Sequence, residues 1–235
     1  AQNWLTFRQA LSLGGHVRLR SRRGRSVSSA RWLERQLNDP YVKRAQKEGF
    51  RARAAFKLLE LDERFHLLDG ASRIVDLGAA PGSWTQVALK RRPNARIVGI
   101  DLLEVEAIPG LEFVQGDFLA DGMEERLHEL LGGEADLLLS DMAANTIGHP
   151  QTDHVRTMAL VEAAAAFAAK VLRPGGSFVA KVLGGGAEGP LVAELKRNFK
   201  TVRHAKPPAS RKDSSETYLV ATGFRGQAPE GGLAD

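Results

Sequence analysis

The sequence predicts an α/β protein: a seven-stranded, mostly parallel sheet with helices on both faces. Three observations lead there. From Arg73 onward, short apolar runs alternate with amphipathic stretches. The first run, Ile74-Val75, ends in Asp76 and meets at once the turn Gly78-Ala79-Ala80-Pro81-Gly82. The second run, Arg96 to Ile100, ends in Asp101. Alternating strands and helices of this kind favour a mostly parallel sheet covered on both faces.

The elements follow in order. Residues 1–28 have weak periodicity and a Gly14-Gly15 pair, and are expected to form a basic, flexible arm. Arg31 to Gln36 begins a short helix, broken at Asp39-Pro40. Tyr41 to Glu48 is helical and stops at Gly49. Ala52 to Phe65 carries apolar residues at Ala55, Leu58, Leu59 and Phe65, a helical pattern. Strands are expected near 73–77, 96–101, 112–115, 135–140, 177–183, 200–205 and 217–223, and helices near 83–91, 121–131, 153–172 and 187–198. One domain over 29–224 is the expectation, followed by a disordered tail, Arg225 to Asp235, bearing Gly, Ala and Pro. There are no internal repeats.

Composition narrows the chemistry. With no Cys, the 235-residue chain has no disulfide, thiolate nucleophile or Cys-based zinc site. That suits a reducing compartment: the bacterial cytoplasm, with a mitochondrial matrix as the alternative. No apolar run reaches the ~18 residues of a membrane span. The net charge of +5 is unevenly spread. No acid precedes Glu34, whereas Arg8, Arg18, Arg20, Arg22, Arg23, Arg25 and Arg31 do. A second acid-free stretch, Lys200 to Lys212, holds Lys200, Arg203, His204, Lys206, Arg211 and Lys212. Blocks of one sign call for an anionic partner, and two of them favour nucleic acid over a basic surface kept for solubility. The first block alone also fits a transit peptide.

The turn after the first strand points to a cofactor. Small residues let a ligand approach the backbone, and the next helix start offers free N–H groups. An acid at the tip of the second strand, Asp101, can accept both hydroxyls of a ribose. The turn lacks GxGxxG, which disfavours a dinucleotide and hence a dehydrogenase. Pro81 removes an N–H where a pyrophosphate would need donors. S-adenosylmethionine, with a carboxylate and an ammonium but no phosphates, fits better. A purely structural turn is the competing reading.

Other strand ends add to the crevice. Asp117 follows the third strand in GDF, Asp141 the fourth in SDMAAN, and Lys181 lies within the fifth in VAKVLGGG. Lys181 is the outlier, one cation in an apolar strand. Burial there requires an acidic partner, and Asp141 on the preceding strand is the natural one. Asp101 and Asp117 could instead cap local turns, and Trp84 could simply pack against the sheet.

These residues bring a family into view. The stretches SSARWLERQLNDPYVKRAQKEGFRARAAFKLLEL, VDLGAAPGSW, GIDLL, QGDF, LLLSDMAAN, LRPGGSFVAKV and SSETYLVATG run in order from about Ser28 to Gly223. The chain resembles the FtsJ-type (RrmJ-type) ribosomal RNA ribose 2′-O-methyltransferases. The resemblance implies a Rossmann-like, S-adenosylmethionine-dependent methyltransferase fold. It implies a catalytic set of Lys57, Asp141, Lys181 and Glu216, and cofactor contacts at Gly82, Trp84, Asp101, Asp117 and Asp141. Neither Lys57 nor Glu216 stands out without it. It further implies a monomer without metal or membrane attachment, whose partner is large-subunit ribosomal RNA within a ribosomal particle and whose target is a uridine. Transfer RNA as substrate, a small-molecule or protein methyltransferase, and an RNA-binding assembly factor are the alternatives. Two positions depart from the family pattern: Ser83, a residue type suited to a helix start, and Ala144, which loses a φ restraint near Asp141.

Overall fold

The computed structural model describes residues 10–13, 16–19, 27–144, 150–183 and 189–226, with side chains from residue 33 onward apart from 150 and 151. Most of the expected arm and nearly all of the expected tail lie outside the described residues. The chain divides into two compact units, Ala1–Arg53 and Ala54–Asp235. The division falls after the two N-terminal helices.

The first unit holds strands β1 (Ala10–Leu13) and β2 (His16–Leu19) and helices α1 (Val27–Asn38) and α2 (Pro40–Glu48). The strands form an antiparallel hairpin inside the segment read as an arm. The break at Asp39-Pro40 is as expected, and its cause is visible. The Asp39 side chain accepts from the Tyr41 N–H at 3.0 Å and caps α2, and Pro40 occupies the first turn, where no N–H is needed. Gly49, at φ 77°, closes the helix by donating to the carbonyls of Ala45 and Gln46. Asp39 also pairs with Arg53, whose guanidinium lies 5.6 Å from the Tyr41 ring centre.

The second unit contains α3 (Ala54–Phe65), β3 (Arg73–Leu77), α4 (Ser83–Arg91), β4 (Arg96–Asp101), β5 (Leu111–Gln115), α5 (Met123–Leu131), β6 (Ala135–Ser140), α6 (Pro150–Val171), β7 (Leu172–Val182), α7 (Gly189–Asn198), β8 (Phe199–Ala205) and β9 (Thr217–Phe224). The seven strands lie in the order β5-β4-β3-β6-β7-β9-β8. Strands β5 to β7 pair in parallel, and β9 runs antiparallel to both of its neighbours. From β3 the chain winds outward through β4 to β5, then returns to β6 on the other side of β3. That reversal opens a crevice at the carboxyl ends of β3, β4 and β6.

Strand alternation sorts the side chains. Val75, Leu77, Val98, Ile100, Leu138, Phe178, Ala180, Val182, Leu219 and Ala221 join one buried cluster with α5, α6 and α7. The intervening residues point to the opposite face. Asp76 there meets Thr85 of α4. Lys181 and Tyr218, register partners across β7 and β9, share that face.

Two details differ from expectation. Strand β7 starts at Leu172, not 177, because Leu172 pairs with Ala135 and a register shift absorbs the Arg-Pro-Gly-Gly run before Ser177 pairs with Leu137. Helix α4 begins at Ser83, but the cap position is Gly82, at φ 101°, and no side chain caps it.

Two carboxyl groups show what the sheet ends demand. At the amino end, Asp136 accepts from the Ser72 N–H (2.7 Å), Ser72 Oγ (2.9 Å) and Arg73 N–H (2.8 Å), and pairs with Arg173. Partial burial pushes its pKa up, but these donors prevail and hold it at about 2. Near the carboxyl end, Asp76 is fully buried and accepts from Thr85 Oγ1 at 2.8 Å. Burial, with lesser repulsion from Asp141 and Asp101, outweighs that bond and raises its pKa to about 7.

Two outcomes are expected. A Cβ at Gly78, where φ is 78°, would stand 2.8 Å from the Met142 nitrogen. Gly78→Ala should therefore cost on the order of 1–3 kcal/mol in urea unfolding, before any effect on activity. For Asp76, the neutral folded form stabilises fully below about pH 4 and loses this effect as pH rises through about 7. Asp76→Asn should thus gain stability relative to wild type between pH 4.5 and 8. An offset that stays constant across that window would refute the assignment.

Candidate active site

The crevice is built from backbone first. At the end of β3 the N–H groups of Gly78 and Ala79 both donate to the Ile100 carbonyl, at 2.9 and 3.0 Å. Gly82 then donates to Ala79 at 2.6 Å and starts α4. Asp101, at the tip of β4, braces this turn: Oδ2 accepts from the Ala80 N–H at 2.9 Å and Oδ1 from the Leu103 N–H at 2.8 Å. The local turn role considered for Asp101 is therefore real. Each of its oxygens still has a second lone pair for a ligand. Asp117 accepts from the Leu119 N–H at 3.0 Å, also a turn bond, and is exposed. Beside these two acids Leu102, Leu103 and Leu119 stand more than half exposed. Three large apolar side chains in water next to two acids form a surface that a flat, partly apolar ligand would cover.

Trp84 packs, as one reading of it allowed. Its ring is buried, its Nε1 donates to the Ala54 carbonyl at 2.9 Å, and its centre lies 5.7 Å from that of Tyr218. It joins the start of α3 to the start of α4 at the crevice.

Lys181 has the partner that its burial demanded. Its ammonium donates to the Asp141 carbonyl at 2.5 Å and lies 3.2 Å from Asp141 Oδ1. Both side chains keep a small exposed fraction, 11% and 20%, so a ligand can reach them. Asp141 itself is fixed through its N–H, which donates to the Leu77 carbonyl at 3.0 Å. The sequence reading did not single out Tyr218. Its hydroxyl donates to Asp141 Oδ1 at 2.9 Å. Burial, then Asp141 and Glu216, push the phenol pKa well above its ordinary value, so the group stays a donor. Its position opposite Lys181 in a buried antiparallel pair is the signal that could have found it.

Lys57 and Glu216, separated by most of the chain, form a second ion pair. The ammonium meets Oε1 at 2.7 Å and Oε2 at 2.8 Å. Both side chains are about seven-eighths buried, which sets them apart from the solvated charges that their sequence context resembles. Ser210 Oγ also donates to Glu216 Oε1, at 2.8 Å. The Lys57 ammonium lies 5.8 Å from the Tyr218 ring centre, so that ring stands between the two ion pairs. The structure thus gathers Lys57, Asp141, Lys181 and Glu216 around Tyr218 and Trp84, while Gly82, Asp101 and Asp117 line the neighbouring strand ends. Among the described residues, no group of three or more His, Cys, Asp or Glu could hold a metal ion. No described helix is long and apolar enough to cross a membrane.

Known proteins share this arrangement of sequence and fold. The FtsJ-like methyltransferase family matches residues 50–224. "Ribosomal RNA large subunit methyltransferase E" of Rhizorhabdus wittichii is 63% identical over 222 residues, covering 94% of this chain and 96% of the relative. The protein of the same name from Zymomonas mobilis is 64% identical, covering 92% and 98%. A crystal structure named for a ribosomal RNA methyltransferase of Plasmodium falciparum superposes with a TM-score of 0.66 at 33% identity, over 76% of this chain and 100% of that one. With a family match across most of its length and relatives this similar, the chain belongs to the FtsJ-like methyltransferase family.

Proposed function

We propose that this chain moves a methyl group from S-adenosylmethionine to a ribose 2′-hydroxyl of large-subunit ribosomal RNA, at a uridine, during assembly of the ribosomal particle. The observation that carries this reading is the cluster of two partly buried Lys–carboxylate pairs beside a glycine turn. The names of the closely similar bacterial relatives support the RNA substrate. They also favour a bacterial cytoplasm over a mitochondrial matrix.

The crevice suits the cofactor. The turn after β3 is made of small residues and proline, Asp101 keeps lone pairs for ribose hydroxyls, and Leu102, Leu103 and Leu119 offer apolar cover for a base. Gly82, Trp84, Asp101, Asp117 and Asp141 are the residues that would hold it. Bound there, S-adenosylmethionine supplies an electrophilic methyl on a sulfonium, a good leaving group. The chain's own residues must align the incoming oxygen and deal with its proton. Alignment alone can lower the barrier by several kcal/mol.

Lys181 is the group assigned to the 2′-hydroxyl. It either accepts the hydroxyl proton or, held as a cation by Asp141, directs the oxygen lone pair toward the methyl. Asp141 fixes the Lys181 ammonium through two oxygens, and Tyr218 fixes Asp141. Lys57, neutralised by Glu216, adds a second cation for the ribose or its phosphate.

Mass spectrometry of ribose-methylated nucleotides in ribosomes from cells with and without this protein tests the reaction. Loss of one 2′-O-methyluridine is the expected result, and an unchanged profile refutes it. If Lys181 takes the proton, the single-turnover rate should rise with pH in the wild type, and Lys181→Met should abolish that rise. Equal profiles for wild type and Lys181→Arg would leave steering as its role. RNA affinity should fall with salt, by about 0.7–0.9 log units per log unit of salt for each phosphate contact. Neutralising the exposed Lys200 and Arg203 of β8 should flatten that slope by roughly 1.4–1.8 if both touch phosphate.

A further inference from the structure

The segment joining β8 to β9, residues 206–216, is the longest described stretch of the second unit without helix or strand. It ends on Glu216, immediately before Thr217 starts β9. A glutamate at the mouth of such a segment has many rotamers open to it, and reaction geometry needs one. The rest of the segment restricts the choice. Ala209 and Ser210 are buried in mid-segment, an unusual position for connecting chain. The Ala209 N–H donates to Glu60 Oε2 at 2.6 Å, and Ser210 Oγ donates to Glu216 Oε1 at 2.8 Å.

Glu60 lies three positions after Lys57 on α3, so the two side chains share one helix face. That face grips the segment twice: Glu60 holds its middle through Ala209, and Lys57 holds its end through Glu216. Ser210 joins the two grips. The segment is stiffened from within as well. Lys206 Nζ donates to the Ser214 carbonyl at 2.6 Å, Ser210 N–H to the Pro207 carbonyl at 2.8 Å, and Glu216 N–H to Ser214 Oγ at 3.2 Å.

From this closed ring of bonds we infer that Ser210 and Glu60 are positioning residues, which lock the Glu216 carboxylate and through it place the Lys57 ammonium for methyl transfer. The inference rests on the role given above to the Lys57–Glu216 pair. Glu60 lies on α3 and Ser210 in the β8–β9 segment, and neither is among the residues assigned to the donor, so donor affinity is expected to stay unchanged.

Single-turnover transfer to RNA, with S-adenosylmethionine affinity by calorimetry and a melting curve for each variant, tests it. Ser210→Ala should slow transfer about three- to tenfold at saturating RNA, the scale of one lost hydrogen bond to a charged group after relaxation, with donor affinity unchanged. Ser210→Thr, which keeps the hydroxyl, should restore most of the rate. In a Glu216→Ala background, Ser210→Ala should have no further effect. Glu60→Ala should slow transfer from the other side of the ring, and it carries the test should Ser210→Ala fold poorly. Wild-type rates for Ser210→Ala and Glu60→Ala beside a slow Glu216→Ala would overturn the positioning role alone, as would penalties that simply add. A wild-type rate for Glu216→Ala itself would remove the role of the ion pair, and the inference with it.

Discussion

Lys181 lies on β7 between two fully buried residues, Ala180 and Val182, and its ammonium must be neutralised where it stands. A buried cation without a partner costs several kcal/mol, and a partner that is free to move gives little specificity. The fold meets both demands at one point. Asp141 offers a backbone carbonyl and a carboxylate oxygen to the ammonium, and is itself held by Leu77 and Tyr218. Because Tyr218 stands opposite Lys181 in the β7–β9 register, the antiparallel placement of β9 puts the phenol on the same face as the lysine. The one strand that breaks the parallel pattern is thus the strand that completes the polar cluster.

The same constraint organises the rim of the sheet. Asp76, Asp101 and Asp141 end or nearly end three adjacent strands, and their charges oppose one another. Asp76 yields, and burial keeps it neutral until about pH 7. Asp101 is held by two backbone N–H groups of its own rim, and Asp141 by Lys181 and Tyr218. A negative rim beside an apolar ledge of leucines suits a cationic, partly aromatic ligand. The basic residues of β8 lie on the edge strand, beyond β9 from that rim.

Ion pairing at the site differs in kind from ion pairing elsewhere on the second unit. Arg96–Glu112 and Lys170–Glu124 are well exposed, and pairs of that sort contribute little. Lys57–Glu216 and Lys181–Asp141 are largely withdrawn from water and joined to further donors. Removing one member of either leaves a charge unmatched in a confined space, so these pairs specify geometry more than they add stability.

The α/β class, the glycine turn, the strand ends at Asp101, Asp117 and Asp141 and the conspicuous lysine were legible in the sequence, because each is written in local pattern: apolar runs, small-residue turns, one charge among aliphatics. The Asp39-Pro40 break was equally local, a cap and a proline acting within one turn. The β7 start was not, since a register shift carries the strand through an Arg-Pro-Gly-Gly run that reads as an interruption. Lys57 and Glu216 look like ordinary surface charges in their own neighbourhoods and were named only through family resemblance. What makes them a pair is the packing of α3 against a segment 159 positions away in sequence. Tyr218, Ser210 and Glu60 became visible only in three dimensions for the same reason: their partners are chosen by strand order and register, which no single stretch of sequence encodes.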